Sequence, residues 1–159
     1  MLVVGVIVVI VGSNLITAHF GPIASPFVAF FGIGLEFVLR DALHEKWHGK
    51  NLKIKTLGLI FLGGIVTYIL NHNAGMICVA SVLAFSVALL VDAIVYEIVY
   101  RKPMLIKMNT SNVFSSLADS IIFPCVAFGH IMPLIIIGQF IAKVFGGFLW
   151  SIVIRRIKP

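Results

Sequence analysis

Apolar runs long enough to cross a lipid bilayer dominate this chain and constrain its fold more than any other feature. A transmembrane helix needs about 20 mostly apolar residues, with a range of roughly 17–25. The runs that approach or reach this length are 2–19, 22–40, 56–71, 76–100, 109–129 and 132–154. The sequence therefore predicts an all-α, polytopic integral membrane protein, a compact bundle of six transmembrane helices that forms a single transmembrane domain over residues 1–159.

The composition supports a lipid environment. Hydrophobic residues make up 60% of the chain and charged residues only 11%, whereas a soluble domain is about half apolar and about a quarter charged. Too few charges remain to cover a water-exposed surface. The net charge of +6 does not indicate nucleic-acid binding, because the basic residues form short clusters between apolar runs and no nucleic-acid-binding motif accompanies them.

The positions of Lys and Arg predict the orientation of the bundle. The linkers after spans one, three and five contain no Lys or Arg. The basic clusters follow spans two, four and six: Arg40, Lys46, Lys50, Lys53 and Lys55, then Arg101, Lys102 and Lys107, then Arg155, Arg156 and Lys158. Because cytoplasmic loops carry the excess of basic residues, both the N-terminus and the C-terminus are expected in the cytoplasm.

Charged residues inside the spans are the first candidates for a functional site. A charge at the bilayer centre costs about 2.5–3.5 kcal/mol on insertion scales, so such groups face the bundle interior or a wet cavity. The residues concerned are Glu36, Asp92, Glu97, Asp119 and Lys143. Glu36 and Arg40 share a helix face, and both an interfacial ion pair and a substrate role remain open for them. For Asp92, a place in the binding site and a role in carrying a proton also remain open.

Spans five and six each carry a polar stripe. Gln139 and Lys143 are four residues apart on one face of span six. The stripe of span five recurs at spacings of three and four and consists of Asn112, Ser115, Ser116 and Asp119. We expect the two stripes to face each other, with Lys143 close enough to offset the charge of Asp119. Hydrogen bonds between helices would explain the serines and the asparagine, but a central Asp and Lys favour a functional site.

Motifs for metal binding or catalysis are weak. Cys78 and Cys125 lie inside apolar runs and belong to no close Cys/His cluster, so neither a metal nor another cofactor is expected. His44, Glu45 and His48 have helical spacing in a predicted cytoplasmic loop, where a solvated turn is the more common explanation. The chain contains no nucleophile elbow, no zinc-binding His-Glu-x-x-His and no paired aspartates of a lipid transferase, so we do not expect an enzyme.

Three patches of the sequence resemble the vitamin-uptake-transporter (VUT) family, whose better-understood members are queuosine precursor transporters. They are GLEFVLRDALHE from Gly34, LVDAIVY from Leu90, and SNVFSSLADSIIF from Ser111 with AFG at Ala127 and GQFIAK at Gly138. The third is the most specific, because Ser-Asn, Asp-Ser and Gly-Gln-x-x-x-Lys keep their spacing. The likeness covers roughly residues 20–145 and is closest to a short form found in actinobacteria and their phages. Span one and His44-Glu45 depart from the family pattern.

The resemblance implies a multi-pass transporter of the bacterial cell (inner/plasma) membrane that imports a 7-deazaguanine base such as preQ0 or preQ1. A guanine-like edge offers two adjacent N–H donors, which one carboxylate can accept, and Asp119 is the candidate for this contact. Amides both donate and accept, so Asn112 and Gln139 are candidates for reading the neighbouring carbonyl or ring nitrogen. Phe114 or Phe123 is expected to stack on the base.

The remaining candidates for the binding site have less defined roles. Lys143 either keeps Asp119 ionised in the empty site or bonds a substrate carbonyl. The other candidate substrate-binding residues are Glu36, Arg40, Asp92 and Ser115.

A second class of function also suits six short helices. The chain would then be the substrate-binding subunit of an energy-coupled vitamin or nucleobase importer and would need a separate ATPase module as a partner. Homo-oligomerisation is likewise left open, because Gly5 and Gly12 together with Gly63 and Gly64 can support helix contacts within or between protomers.

Overall fold

The computed structural model describes residues 2–36, 39, 51–102 and 104–157, and all regular secondary structure in these residues is helical. Six helical segments follow one another: α1 (Leu2–Phe20), α2 (Pro22–Glu36), α3 (Leu52–Leu70), α4 (Gly75–Ile98), α5 (Met104–Phe128) and α6 (Pro133–Ile157). Short turns at Gly21, at residues 71–74 and at residues 129–132 connect α1 to α2, α3 to α4 and α5 to α6. We call the end of the bundle that holds these three turns the short-turn end.

Three of the helices are long and apolar enough to cross a membrane: Leu2–Phe20, His72–Val95 and Thr110–Phe128. Three shorter apolar helices accompany them: Pro22–Glu36, Ile54–Leu70 and Pro133–Gly146. At a rise of 1.5 Å per residue, a helix of 19 residues is about 28 Å long, close to the roughly 30 Å of hydrocarbon in a bilayer. The fold class predicted from the sequence, an all-α polytopic membrane bundle, is confirmed. The cytoplasmic position of both termini stays a prediction from the Lys and Arg distribution.

Helix α2 differs from the continuous helix expected over residues 22–40. It starts with a 3₁₀ turn over Pro22–Ala24, continues as one α-helical turn over Ser25–Val28, and then forms a π-helical turn over Ala29–Ile33. Gly21, the residue before it, has a left-handed backbone with φ of 71°, which glycine adopts without steric cost. Arg40, at the predicted end of this span, lies outside the described residues.

The six helices pack as a closed ring. Going round it, α1 contacts α2, α2 contacts α6, α6 contacts α5, α5 contacts α4, α4 contacts α3, and α3 returns to α1. Helix α1 also contacts α4 across the ring. The short turns explain three of these neighbour pairs, since helices joined by a few residues pack antiparallel. The contact of α6 with α2 closes the ring and brings together side chains far apart in sequence.

The apolar core lies between α1, α3 and α4, where Val6, Ile10, Ile60 and Phe85 form one buried cluster. Gly63 allows the close approach that the sequence predicted for α3, because a Cβ there would lie 2.7 Å from Cγ2 of Ile10. Large apolar side chains also cover the outside of the bundle, among them Phe20, Ile23, Phe27, Phe31, Ile69, Leu134 and Phe148. A surface of this kind suits contact with lipid and would promote aggregation in water.

Candidate functional site

Two clusters of polar side chains with hydrogen bonds between helices stand out in the described part of the bundle. The charged cluster joins α2, α5 and α6 and consists of Ser25, Asp119, Ser120, Gln139 and Lys143. The neutral cluster joins α1, α3 and α4 and consists of Asn14, Thr67 and Ser81. Both hold helices together, but they differ in charge and in how completely their polar atoms are used.

Lys143 is the centre of the charged cluster. Its Nζ forms an ion pair with Asp119 and donates to Oγ of Ser120 and to Oε1 of Gln139, each at 3.2 Å. The side chain is only 3% exposed. A lysine ammonium has three N–H donors, so these contacts use all of them. Pairing and complete hydrogen bonding are what make a buried charge tolerable in a medium of low dielectric constant.

Gln139 connects this centre to α2. Its Oε1 accepts from Lys143, and its Nε2 donates to Oγ of Ser25. With both ends of the amide engaged and 1% of the residue exposed, the orientation of the Gln139 side chain is fixed. Gln139 and Lys143 share one face of α6, as their spacing of four residues predicted.

Asp119 is the member of the charged cluster with unused hydrogen-bonding capacity. Its Oδ2 pairs with Lys143, and its side chain is 19% exposed. Among the described residues, Oδ1 of Asp119 has no hydrogen-bond donor. An ionised carboxylate accepts about four hydrogen bonds through its two oxygens, so Asp119 can still accept N–H groups of a ligand. The expected proximity of Asp119 and Lys143 is confirmed by their ion pair.

The rest of the stripe predicted on α5 does not reach this cluster. Asn112 is exposed and lies about 10 Å before Asp119 along the helix. Ser115 is half-buried, and its Oγ donates to the carbonyl oxygen of Asn112 at 3.1 Å. Ser116 is buried. The structure thus brings together Asp119, Gln139 and Lys143 from the two stripes and leaves Asn112 and Ser115 at another level of the bundle.

The other candidates occupy separate positions. Phe123 lies one turn after Asp119 on α5, is half-buried, and makes an edge contact with Phe128 at 6.4 Å between ring centroids. Phe114 on the same helix is 50% exposed. Asp92 is half-buried near the far end of α4, and Glu36 is buried at the end of α2. Arg40, with which Glu36 was expected to pair, lies outside the described residues.

Ser25 and Ser120 belong to the charged cluster but were not among the candidate binding residues, although Ser120 is part of the Asp-Ser pair that the family resemblance singles out. Ser120 directly follows Asp119, and adjacent positions on a helix point in different directions, so the spacing rule passes over it. Ser25 stands before Pro26 in a stretch that reads as a turn. Ser25 is recognisable only by its burial near the start of α2. That burial depends on the packing of α2 against α6, which the local sequence does not show.

The neutral cluster is a chain of hydrogen bonds without charge. Ser81 Oγ donates to Oδ1 of Asn14 at 2.6 Å, and Nδ2 of Asn14 lies 3.5 Å from Oγ1 of Thr67. Thr67 Oγ1 in turn donates to the carbonyl oxygen of Gly63 at 2.8 Å. Such contacts between uncharged side chains commonly hold transmembrane helices together. The neutral cluster therefore has a sufficient structural explanation.

The described residues contain no group of three or more His, Cys, Asp and Glu side chains placed to hold a metal ion. His44, Glu45 and His48, the set with helical spacing, lie outside the described residues.

Comparison with known proteins identifies one family. A family model described as "Putative vitamin uptake transporter" matches residues 2–156. No curated protein and no solved structure matches the chain. The matched range covers the six helical segments up to the last residue but one of α6, and it includes every residue of the charged and neutral clusters.

Proposed function

Because the chain belongs to the vitamin-uptake-transporter family, we propose that it imports a queuosine precursor, a 7-deazaguanine base, across the bacterial cell membrane. The observation that carries the proposal is the state of the charged cluster. Lys143 has no donor left for a ligand, whereas Asp119 retains an acceptor oxygen. A ligand that donates N–H groups therefore fits this site better than one that only accepts.

The charge of the site narrows the ligand further. Asp119 and Lys143 cancel each other, so the cluster is neutral as a unit. A vitamin that carries a carboxylate would find no free cation among the charged cluster's residues and would meet the carboxylate of Asp119. A deazaguanine base is uncharged at its guanine-like edge and presents two adjacent N–H donors. The oxygens of Asp119 accept these donors while Oδ2 keeps its ion pair with Lys143, because each oxygen has two lone pairs.

The aromatic side chain next to Asp119 supports the same class of ligand. Phe123 follows Asp119 by four residues, so both project from one face of α5. Its position suits stacking on a flat base whose edge is held by Asp119, a geometry in which aromatic rings pack favourably. Contacts with the substrate elsewhere along the transport path stay predictions for the other candidates, which are Asn112, Ser115, Asp92, Glu36 and Arg40.

The proposal is tested in cells that cannot synthesise queuosine precursors. The free deazaguanine base is supplied at low concentration, and the modified nucleoside is measured in tRNA from cells with this chain, with an empty vector, or with Asp119→Asn. We expect the chain to restore modification and Asp119→Asn to lower uptake by about one to two orders of magnitude, because a charge-assisted hydrogen bond is worth about 1.5–3 kcal/mol and about 1.4 kcal/mol is tenfold.

Two results would count against parts of the proposal, with membrane levels of each protein matched. Normal uptake by Asp119→Asn would reject the contact between the Asp119 carboxylate and the base, but the assignment of the base as substrate would stand. No restoration by the unaltered chain would reject import of a deazaguanine base by this chain alone, and would point to another substrate or to a missing ATPase partner. Ser86→Ala on α4 is the control, since Ser86 is no candidate for the site and donates locally to the carbonyl oxygen of Val82 at 2.7 Å.

A further inference from the structure

The charged cluster is closed to a ligand in this structure. Ser25, Ser120, Gln139 and Lys143 are all at most 3% exposed, and only the side chain of Asp119 retains partial access. A base that stacks near Asp119 and bonds its carboxylate needs more room than this. One of the helices that contribute to the cluster must therefore move before a ligand can enter or leave.

Helix α2 is built in a way that permits such a movement near Ser25. The α-helical turn Ser25–Val28 is only four residues long, with a 3₁₀ turn before it and the π-helical turn Ala29–Ile33 after it. Pro26 has no N–H to donate. A π-helical turn holds one residue more than an α-helical turn, and its return to α geometry rotates the preceding segment by about 100°. Such a rotation would carry Ser25 away from Gln139.

The contact between α2 and α6 is made in part at two glycines of α6. A Cβ on Gly138 would lie 3.2 Å from Cγ of Pro26, and a Cβ on Gly146 would lie 2.5 Å from the carbonyl oxygen of Phe30. Gly138 thus meets the compact ring of Pro26, and Gly146 meets only backbone atoms of Phe30. A side-chain hydrogen bond from Gln139 to Ser25 joins these two helices near the start of α2.

From these observations we propose that the first turns of α2 are the gate of the charged cluster, and that Ser25 is the positioning residue that holds the gate closed through Gln139. This inference rests on the proposed transport function. The gate opens toward the short-turn end, where α2 begins at Pro22. The Lys and Arg distribution predicts that this end faces away from the cytoplasm.

Opening the gate also completes the binding site. When Ser25 leaves, the N–H of Gln139 Nε2 that it accepted from becomes available to a ligand, and Lys143 links Gln139 to the acceptor oxygens of Asp119. A guanine-like edge presents a carbonyl acceptor beside two N–H donors, and a donor from Gln139 with an acceptor from Asp119 is complementary to that pattern. Ser25 thus acts through Gln139 and does not itself need to touch the ligand.

A disulfide bond across the gate tests the proposal. A Cβ at position 138 lies 3.4 Å from Cβ of Pro26, near the Cβ–Cβ separation of about 3.5–4.5 Å found in disulfides. The variant carries Pro26→Cys and Gly138→Cys, with Cys78→Ala and Cys125→Ala to remove the native thiols. In proteoliposomes, we expect uptake of labelled free base by the reduced protein, at least a tenfold loss on oxidation, and recovery on reduction.

A matched cross-link lies in the other half of the bundle. A Cβ at position 64 lies 3.9 Å from Cβ of the native Cys78, so Gly64→Cys joins α3 to α4 without touching the gate. We expect this disulfide to leave uptake unchanged. Uptake that survives a complete cross-link between positions 26 and 138 would overturn the gate, and so would an equal loss of uptake in both cross-linked proteins.

Hydrogen–deuterium exchange separates failure of the gate from failure of the substrate assignment. In lipid nanodiscs without ligand, we expect the amides of residues 22–33 to exchange at least tenfold faster than those of α1, and the disulfide between positions 26 and 138 to remove this difference. Ser25→Ala should raise the exchange further. If neither the reduced protein nor the control imports the base, the proposed transport of that base fails, but hydrogen exchange still tests the gate. Amides of residues 22–33 that exchange as slowly as those of α1 would overturn the gate.

Discussion

The charged and neutral clusters occupy the same bundle but use their hydrogen bonds differently. In the neutral cluster, Asn14 is bonded at both ends of its amide, to Ser81 and to Thr67. In the charged cluster, Lys143 is fully used but Asp119 keeps an acceptor oxygen. The side chain of Asp119 is 19% exposed, so its remaining acceptor oxygen is accessible to a ligand. Polar side chains inside a span therefore indicate a binding site when some of their hydrogen-bonding atoms have no protein partner, and a structural contact when all of them do.

The helices around the two clusters also pack differently. At Gly63 the neighbouring helix inserts the side chain of Ile10, an interlocked contact in the apolar core. At Gly146 the neighbouring helix presents the backbone carbonyl of Phe30. Interlocked side chains resist sliding, whereas a backbone contact at a glycine leaves less to disengage. We therefore regard α1, α3 and α4 as the rigid part of the bundle and the contact of α2 with α6 as its movable joint.

Removal of the cation from the charged cluster should have the largest effect. Lys143→Met leaves the carboxylate of Asp119 without its partner, and breaking a buried ion pair costs about 3–5 kcal/mol. We expect a marked fall in the thermal unfolding temperature of the detergent-solubilised protein, together with loss of uptake. Adding Asp119→Asn to Lys143→Met removes the uncompensated charge, so stability should return while uptake does not. A stable, active Lys143→Met protein would contradict the importance of the pair.

The two glycine contacts give the next largest difference. Gly146→Ala places a Cβ 2.5 Å from the carbonyl oxygen of Phe30 on α2, whereas Gly63→Ala places a Cβ 2.7 Å from Cγ2 of Ile10 on α1, away from the joint of α2 with α6. Overpacking typically costs about 1–3 kcal/mol. We expect Gly146→Ala to separate α2 from α6 and to accelerate hydrogen exchange in α2, and Gly63→Ala to leave exchange in α2 unchanged. Equal exchange in the two variants would remove the distinction between a rigid part and a movable joint.

The sequence predicted the elements of this bundle better than their arrangement. The central positions of Asp119 and Lys143 were enough to expect an ion pair, because an isolated charge in lipid is too costly to leave unpaired. The closure of the ring by α2 and α6 was not predictable, since helices in lipid are apolar on every side and periodicity does not show which face packs. The role of Ser25 depends on that closure, and the π-helical turn in α2 has no local signal in the sequence.

Truncation of Asn14 should have the smallest effect and should affect stability alone. Asn14→Ala removes the links from α1 to Thr67 and Ser81, and hydrogen bonds between transmembrane helices are worth about 0.6 kcal/mol on average and at most about 1.7. We expect a small fall in the unfolding temperature and unchanged uptake of the base at matched membrane levels. Ser25→Ala is the counterpart in the charged cluster and should change exchange in α2 more than it changes stability. If Asn14→Ala abolished uptake in a stably folded protein, the neutral cluster would belong to the transport path, and the distinction between a structural and a functional cluster would fail.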